Sequence, residues 1–142
     1  MPDRSLHILL VDDDEVDVRN VRRAIQRNQD RGLAATTLHV AADGVEALEL
    51  LRSDAIPARR RLVLLDLNMP RMNGLELLRA LRADPELAAL PVVVLTTSDD
   101  ERDKMEAYDL NVAGYLVKPV DFASTVELMA ALETYWTVVE LP

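Results

Sequence analysis

The sequence predicts an α/β fold in which helices cover both faces of a parallel sheet. Five short apolar runs, rich in Val, Ile and Leu, lack the polar alternation of half-exposed strands, and this is typical of strands buried on both faces. An amphipathic stretch follows each run, so strands and helices alternate along the chain. The 142 residues suit one domain, and no linker divides them. We therefore expect a single domain over residues 1–142.

The predicted strands are the five apolar runs. They are His7–Val11, Thr36–Ala41, Leu62–Leu65, Val92–Leu95 and Gly114–Val117. The predicted helices repeat apolar residues at spacings of three and four. They are Asp14–Arg27, Asp43–Arg52, Asn73–Arg82, Asp99–Leu110 and Asp121–Val139. Each begins with an Asp or Asn, the residue types that cap helix N-termini best. Near the first helix, Asp14 is expected to be such a cap, and Glu15 and Asp17 are expected on a solvated face.

Composition and charge exclude several classes of function. The 25 acidic residues exceed the 16 basic ones, and a net charge of −9 disfavours nucleic-acid binding. Without cysteine there are no disulfides and no thiolate metal ligands. No apolar run approaches the ~20 residues of a membrane span. Acids follow the first apolar run, where a signal peptide would need a cleavage site, so we expect a cytoplasmic protein that does not bind membranes.

Polar side chains follow four of the predicted strands directly. These residues are Asp12, Asp13, Asp66, Asn68, Thr96, Thr97 and Lys118. In open parallel sheets, ligands bind at the edge where the strands have their carboxyl ends, so we expect these side chains to lie together. Clustered carboxylates repel one another unless a cation joins them, and Mg²⁺ prefers such oxygen ligands. With a Lys and a Thr beside it, the cluster is suited to hold a phosphoryl group.

Four segments, each at a predicted strand end, identify a family. They read ILLVDD at 8–13, LLDLNMPRMNG at 64–74, VVVLTTS at 92–98 and GYLVKP at 114–119. In this order they resemble the receiver domains of two-component response regulators, over nearly the whole chain. The resemblance implies a flavodoxin-like, doubly wound five-stranded parallel sheet, (βα)5, with strand order 2-1-3-4-5.

The resemblance also implies a role for each residue at this edge. Asp66 would be the phosphoacceptor. The Mg²⁺ ligands would be Asp12, Asp13, Asp66 and the backbone carbonyl of Asn68, with Asp13 the more direct ligand of the acidic pair. The phosphoryl group would be bound by the Thr96 hydroxyl, the Thr97 backbone N–H and the Lys118 ammonium. Tyr115 would turn inward when Thr96 moves, and these two would form the switch. A cis bond before Pro119 would aim Lys118.

The implied function is that of a phosphorylated switch. A sensor histidine kinase would phosphorylate Asp66 in a Mg²⁺-dependent reaction that the domain itself catalyses, with slow autodephosphorylation and no separate enzymatic activity. The alternative is a Mg²⁺-dependent phosphohydrolase with an Asp nucleophile. Phosphohydrolases of the haloacid-dehalogenase type carry Asp-x-Asp on the first strand, whereas Asp66-x-Asn68 follows the third and lacks a second acid. A scaffold that is no longer phosphorylated is the remaining reading.

Three further segments point to a subfamily. They read DDEVDVRNVRRAI at 13–25, LTTSDDERD at 95–103 and YWTVVELP at 135–142. They are similar to the small stand-alone regulators that partner bacterial phytochromes. The resemblance implies a bacteriophytochrome as the kinase.

The last predicted helix is apolar around much of its circumference. Its first stripe, Val126 and Met129 included, is expected to face the sheet. A second stripe contains Leu128, Leu132, Tyr135 and Val139. Together the two stripes form an apolar arc of about 220°, against the ~100° that a surface helix of a monomer needs. We therefore expect residues 121–142 to form a homodimer interface. Its residues would be Leu128, Leu132, Tyr135, Trp136 and Val139. The alternative is that the C-terminal residues cover this patch within one chain.

Overall fold

Five parallel strands form one sheet in the order β2-β1-β3-β4-β5, as predicted. The computed structural model describes residues 5–33 and 35–141. The strands are β1 Leu6–Val11, β2 Thr36–Ala41, β3 Arg61–Leu65, β4 Val92–Thr96 and β5 Gly114–Val117. The change in strand order between β1 and β3 opens a crevice at the carboxyl ends of these strands, where ligands bind in doubly wound folds.

The five helices begin at polar caps. They are α1 Glu15–Asp30, α2 Gly44–Arg52, α3 Gly74–Ala83, α4 Glu101–Asp109 and α5 Phe122–Val138. The side chains of Asp14, Asp43, Asn73 and Asp121 accept hydrogen bonds from the first turns, as predicted. The prediction of Asp99 as the cap of α4 is wrong. Asp100 accepts from the N–H groups of Arg102 and Asp103, so α4 begins one residue later than predicted.

Two apolar layers separate the helices from the sheet. Leu9 of β1 faces the layer formed with α2 and α3, whereas Ile8 and Leu10 face the layer formed with α1 and α5. Both layers are closed to solvent, since Leu77 of α3 and Met129 of α5 have no exposed surface. The strands are therefore packed on both faces between the two helical layers. Within the described residues, no helix combines the length and apolar character that a membrane span requires.

Gly74 allows α3 to begin directly behind Asp66. A Cβ atom at this position would lie 2.5 Å from the carbonyl oxygen of Asp66 and 2.6 Å from the Cα of Leu67. The Gly74 N–H donates to the Leu67 carbonyl over 3.1 Å, which ties the start of the helix to the loop after β3. Glycine is therefore required here by close backbone approach.

Much of the apolar arc of α5 is covered within the chain. Trp136 is only 7% exposed and packs in the core between α1, α5 and the sheet, contrary to the prediction that it lies on a dimer face. Leu128, Leu132 and Val139 are half-buried against the same core. Of the predicted dimer residues, Tyr135 alone is mainly exposed, at 59%. The indole is larger than the neighbouring side chains, so its burial removes more apolar surface from water.

Polar contacts of two buried side chains, Glu133 and Arg60, fix the C-terminal half of α5. Glu133 is buried, and its carboxylate accepts from Thr36 Oγ1 over 2.9 Å and from Asn28 Nδ2 over 3.3 Å. Arg60, in the loop before β3, is also buried and donates to the Trp136 carbonyl over 2.6 Å. A further bond of 3.1 Å joins its guanidinium to the carbonyl of Val139. The bonds from Arg60 thus satisfy carbonyls that the end of a helix leaves unpaired.

Candidate functional site

The sheet itself positions the polar residues at its carboxyl edge. The Asp66 N–H donates to the Val11 carbonyl over 2.9 Å, and the Lys118 N–H donates to the Thr96 carbonyl over 2.8 Å. These bonds continue the parallel ladder one residue beyond the strands. Asp12 is held in the same way, through its backbone N–H. The side chains of β1, β3, β4 and β5 therefore converge on one crevice, as the sequence predicts.

Three carboxylates form a cluster in the crevice. Asp12, Asp13 and Asp66 each offer an oxygen atom, and these atoms lie within 4.8 Å of one another. Asp12 and Asp66 are buried, whereas Asp13 is exposed. Burial raises the pKa of Asp12, although hydrogen bonds from the Asp14 N–H and from Lys118 partly oppose this effect. The donor set consists of hard oxygen atoms in a half-open cleft, which fits a divalent cation such as Mg²⁺.

The Lys118 ammonium contacts two of these carboxylates and also the carboxylate of Asp17. Its Nζ lies 2.9 Å from Asp12 Oδ2, 3.1 Å from Asp66 Oδ2 and 2.6 Å from Asp17 Oδ2. Burial by itself would lower the pKa of Lys118, but the hydrogen bonds to Asp17 and Asp12 and the nearby negative charges outweigh it and raise the pKa. The ammonium therefore stays charged and is available to bind an anionic group.

Asp17 is the site residue that the sequence analysis misses. It lies on the first turn of α1, and the prediction of a purely solvated position is wrong, because its carboxylate makes the shortest of the three contacts with Lys118. The two residues are 101 positions apart in the chain. The local pattern carries no signal for this pair, because the contact depends on where α1 packs relative to the loop after β5.

Thr96 binds the buried carboxylate directly. Its Oγ1 donates to Asp66 Oδ1 over 2.9 Å and accepts from the Ser98 N–H over 3.2 Å. The side chain is wholly buried, so the hydroxyl is held in place. Thr97 is exposed, and Asn68 is exposed as well, with its N–H donating to Asp66 Oδ1 over 3.2 Å. The backbone after β3 therefore folds around the Asp66 carboxylate.

Tyr115 connects β5 with the loop after β4. Its hydroxyl donates to the Ser98 carbonyl over 2.9 Å, and its half-buried ring packs against the core beside α3 and α4. Through Ser98, whose N–H donates to Thr96, the ring lies one residue from the hydroxyl that contacts Asp66. A movement of Thr96 would therefore disturb the contact that holds Tyr115.

The peptide bond between Lys118 and Pro119 is trans, so the prediction of a cis bond is wrong. No cis peptide bond occurs among the described residues. A trans bond before proline is favoured by about 0.5–1 kcal/mol, and Lys118 reaches all three carboxylates without the cis form. The aim of the ammonium is set here by these ion pairs.

Comparisons with known proteins find similarity over most of the chain. The sequence profile of the response regulator receiver domain matches residues 8–132. The response regulator Rcp1 of Synechocystis is 34% identical over an alignment of 132 residues that covers 91% of this chain and 87% of that protein.

Two solved structures share the fold over nearly the whole chain. The crystal structure of the phosphorylated cyanobacterial phytochrome response regulator RcpA superposes with a TM-score of 0.85 at 33% identity, covering 97% of this chain and 99% of that one. The Mn²⁺-bound form of Rcp1 superposes with a TM-score of 0.80, also at 33% identity, covering 96% and 99%. The similarity includes the strand ends at which the carboxylates lie.

Proposed function

The chain belongs to the response regulator receiver domain family, and we propose on that premise that Asp66 receives a phosphoryl group from a sensor histidine kinase. One observation carries the assignment to Asp66. Its buried carboxylate contacts both the Thr96 hydroxyl, at 2.9 Å, and the Lys118 ammonium, at 3.1 Å. Family membership and the position of the acid on the third strand favour the switch over a phosphohydrolase.

Phosphorylation requires little of the protein beyond placement and charge. An oxygen of the Asp66 carboxylate attacks the phosphorus of a phosphohistidine, the P–O bond forms and the P–N bond breaks. The imidazole leaves and takes up a proton, and an acyl phosphate remains on Asp66. Lys118 and Thr96 stabilise the negative charge on the transferred oxygens, since both already contact this carboxylate. The reaction is thus catalysed by the domain on itself.

We assign Mg²⁺ to the carboxylate cluster. Asp12, Asp13 and Asp66, with the backbone carbonyl of Asn68, would hold it, and the oxygen donors within 4.8 Å of one another support the choice. When bound, the ion offsets the repulsion between the carboxylates and the incoming anionic donor. The Mn²⁺-bound form of Rcp1 supports a divalent ion in this class of protein.

The kinase partner that we propose is a bacteriophytochrome. The chain is homologous to RcpA and Rcp1, and it is 35% identical to the bacteriophytochrome response regulator AtBRR over 90% of its length. Such a kinase would pass the phosphoryl group to this protein in the cytoplasm. The output is a change in protein contacts, transmitted through Thr96 and Tyr115.

We propose a homodimer built on the outer face of α5. Tyr135 and Val138, exposed to 59% and 71%, would be its centre. The half-buried Leu128, Leu132 and Val139 would extend the same surface, whereas Trp136 would remain in the core of its own subunit.

The test is phosphorylation by a small donor. Purified protein incubated with acetyl phosphate and Mg²⁺ should acquire one phosphoryl group per chain, seen by intact-mass spectrometry. Asp66→Asn should remove it while preserving the circular dichroism spectrum. Asp109→Asn, an exposed acid on α4, serves as the matched control and should keep the label. Labelling of Asp66→Asn at the wild-type level would place the acceptor elsewhere.

A further inference from the structure

We propose that Asp17 is a positioning residue that draws the Lys118 ammonium partly away from Asp12 and Asp66, and thereby raises the affinity of the site for Mg²⁺. The inference rests on the metal centre proposed above. It adds a residue on α1 that lies outside the carboxylate cluster, and it assigns that residue control over how strongly the cluster binds its cation.

The contacts of Lys118 are unequal. The distance from Nζ to Asp17 Oδ2 is 2.6 Å, against 2.9 Å to Asp12 and 3.1 Å to Asp66. An ammonium has three N–H donors, and three carboxylates lie within 3.1 Å of this one. Asp17 makes the shortest contact although its side chain is 34% exposed, whereas those of Asp12 and Asp66 are 2% and 6% exposed.

Lys118 and a divalent cation compete for the same oxygen atoms. Asp12 and Asp66 bind the ammonium in this structure, and both also belong to the cluster that can hold a metal. An ammonium held by these two alone would occupy their lone pairs and repel the incoming cation. Asp17 is not part of the cluster, so it offers Lys118 a negative charge that the metal does not need.

There is room for the ammonium to move away from Asp66 while it keeps its contact with Asp17. Asp17 and Lys118 line a cavity of about 70 Å³, which continues between α1 and the loop after β5. Pro119, from that loop, and Phe122, the first residue of α5, line it as well, and Asp12 borders it, whereas Asp13 and Asp66 do not. When a cation occupies the carboxylates, Lys118 therefore has both a charged partner in Asp17 and space on the side away from Asp66.

The experiment is a calorimetric titration with Mg²⁺ on the full chain. Asp17→Asn is expected to weaken binding roughly fivefold or more, in the range of coupling between contacting charged groups. Glu15→Gln is the matched control. Glu15 is an exposed acid on the same turn and is nearer in sequence to Asp13, yet it makes no described contact with Lys118. Equal losses in the two variants would reduce the effect to net charge and overturn the inference.

A double-mutant cycle shows whether Asp17 acts through Lys118. In a Lys118→Met background, Asp17→Asn should weaken Mg²⁺ binding no more than Glu15→Gln does. An effect that persists at full size without Lys118 would contradict the proposal. Asp17→Glu, which keeps the charge, should restore most of the affinity. The circular dichroism spectrum of each variant shows whether it is folded.

The metal centre is tested separately. Asp13→Asn should lose most of the Mg²⁺ affinity. If wild-type protein bound no Mg²⁺, or if Asp13→Asn bound it normally, the proposed metal centre would fail. If Asp13→Asn lost binding while Asp17→Asn retained it, the metal centre would stand and only the role of Asp17 would fall.

Discussion

Thr96 and Asp66 are joined by a hydrogen bond of 2.9 Å between two buried side chains. The hydroxyl is thus already in contact with the atom group that is to be phosphorylated. Because Ser98 donates to the same hydroxyl and accepts from Tyr115, a chain of contacts runs from the carboxylate to β5. Phosphorylation changes the charge of the Asp66 side chain, where this chain of contacts begins.

The first prediction concerns this hydroxyl. Thr96→Ala should slow phosphorylation of Asp66 by acetyl phosphate about tenfold or more, because it removes a donor aimed at the developing charge. Thr96→Ser keeps the donor and should retain most of the rate. The measurement is the time course of intact mass at saturating Mg²⁺. Equal rates for Ala and Ser would show that the hydroxyl does not act in the transfer.

The second prediction concerns the backbone behind the phosphoacceptor. Gly74→Ala should lower the free energy of unfolding by about 1–3 kcal/mol, since its Cβ would lie 2.5 Å from the Asp66 carbonyl oxygen and backbone must shift. Gly114→Ala is the control, because the nearest atom, on Val93, would be 3.9 Å away. Urea denaturation measures both. A loss of similar size in both variants would contradict the steric explanation.

The third prediction concerns pH. Burial raises the pKa of Glu133, with hydrogen bonds from Thr36 and Asn28 acting in the opposite direction. The folded state therefore holds this proton more tightly than the unfolded state, and the free energy of unfolding falls as pH rises above the ordinary value of 4.5. Glu133→Gln has no carboxyl group at this position, so its free energy of unfolding lacks this contribution to the pH dependence.

The stability of wild type relative to Glu133→Gln should therefore decline from about pH 4.5 upward and level off above the raised pKa of the folded state. Urea denaturation of both proteins at several pH values measures it. Glu127→Gln, a substitution of the same kind at an exposed position on the same helix, is the control. A difference that does not change with pH would mean that Glu133 has the same proton affinity in both states.

The fourth prediction concerns assembly. Replacing both Tyr135 and Val138 by Glu should convert a dimer into a monomer with little loss of stability, because both side chains are mainly exposed. Trp136→Ala should instead cost about 3–5 kcal/mol of stability, as expected for a large buried side chain. Sedimentation velocity and thermal unfolding distinguish the two effects. A wild-type protein that sediments as a monomer at tens of micromolar, with or without phosphorylation, would contradict the dimer.

Local pattern predicted the sheet well. The strand at 36–41 and the strand at 114–117 have the predicted bounds. The α4 cap was misplaced because two adjacent Asp residues satisfy the same rule. The motif residues at the strand ends were found, since the position at the end of a parallel strand fixes where a side chain lies.

Side-chain partners distant in sequence were not predictable in this way. The pair of Asp17 with Lys118 spans 101 residues, and Glu133 lies 97 residues from Thr36. Its own helix predicts Asp17 on a solvated face, whereas its contact with Lys118 depends on where the loop after β5 packs. Trp136 was misplaced for the same reason, because an apolar residue on a helix does not show which neighbour covers it.

The guanidinium of Arg60 caps the C-terminal end of α5. The helix has no basic residue in its last turn, and the cation that complements its terminal carbonyls comes from 76 residues earlier in the chain. If a following module were attached through an uninterrupted helix, the helix itself would claim those carbonyls, and a buried charge would lose its acceptors. A fusion through a loop after Val139 would preserve them. The architecture thus favours flexible over rigid attachment of anything placed downstream.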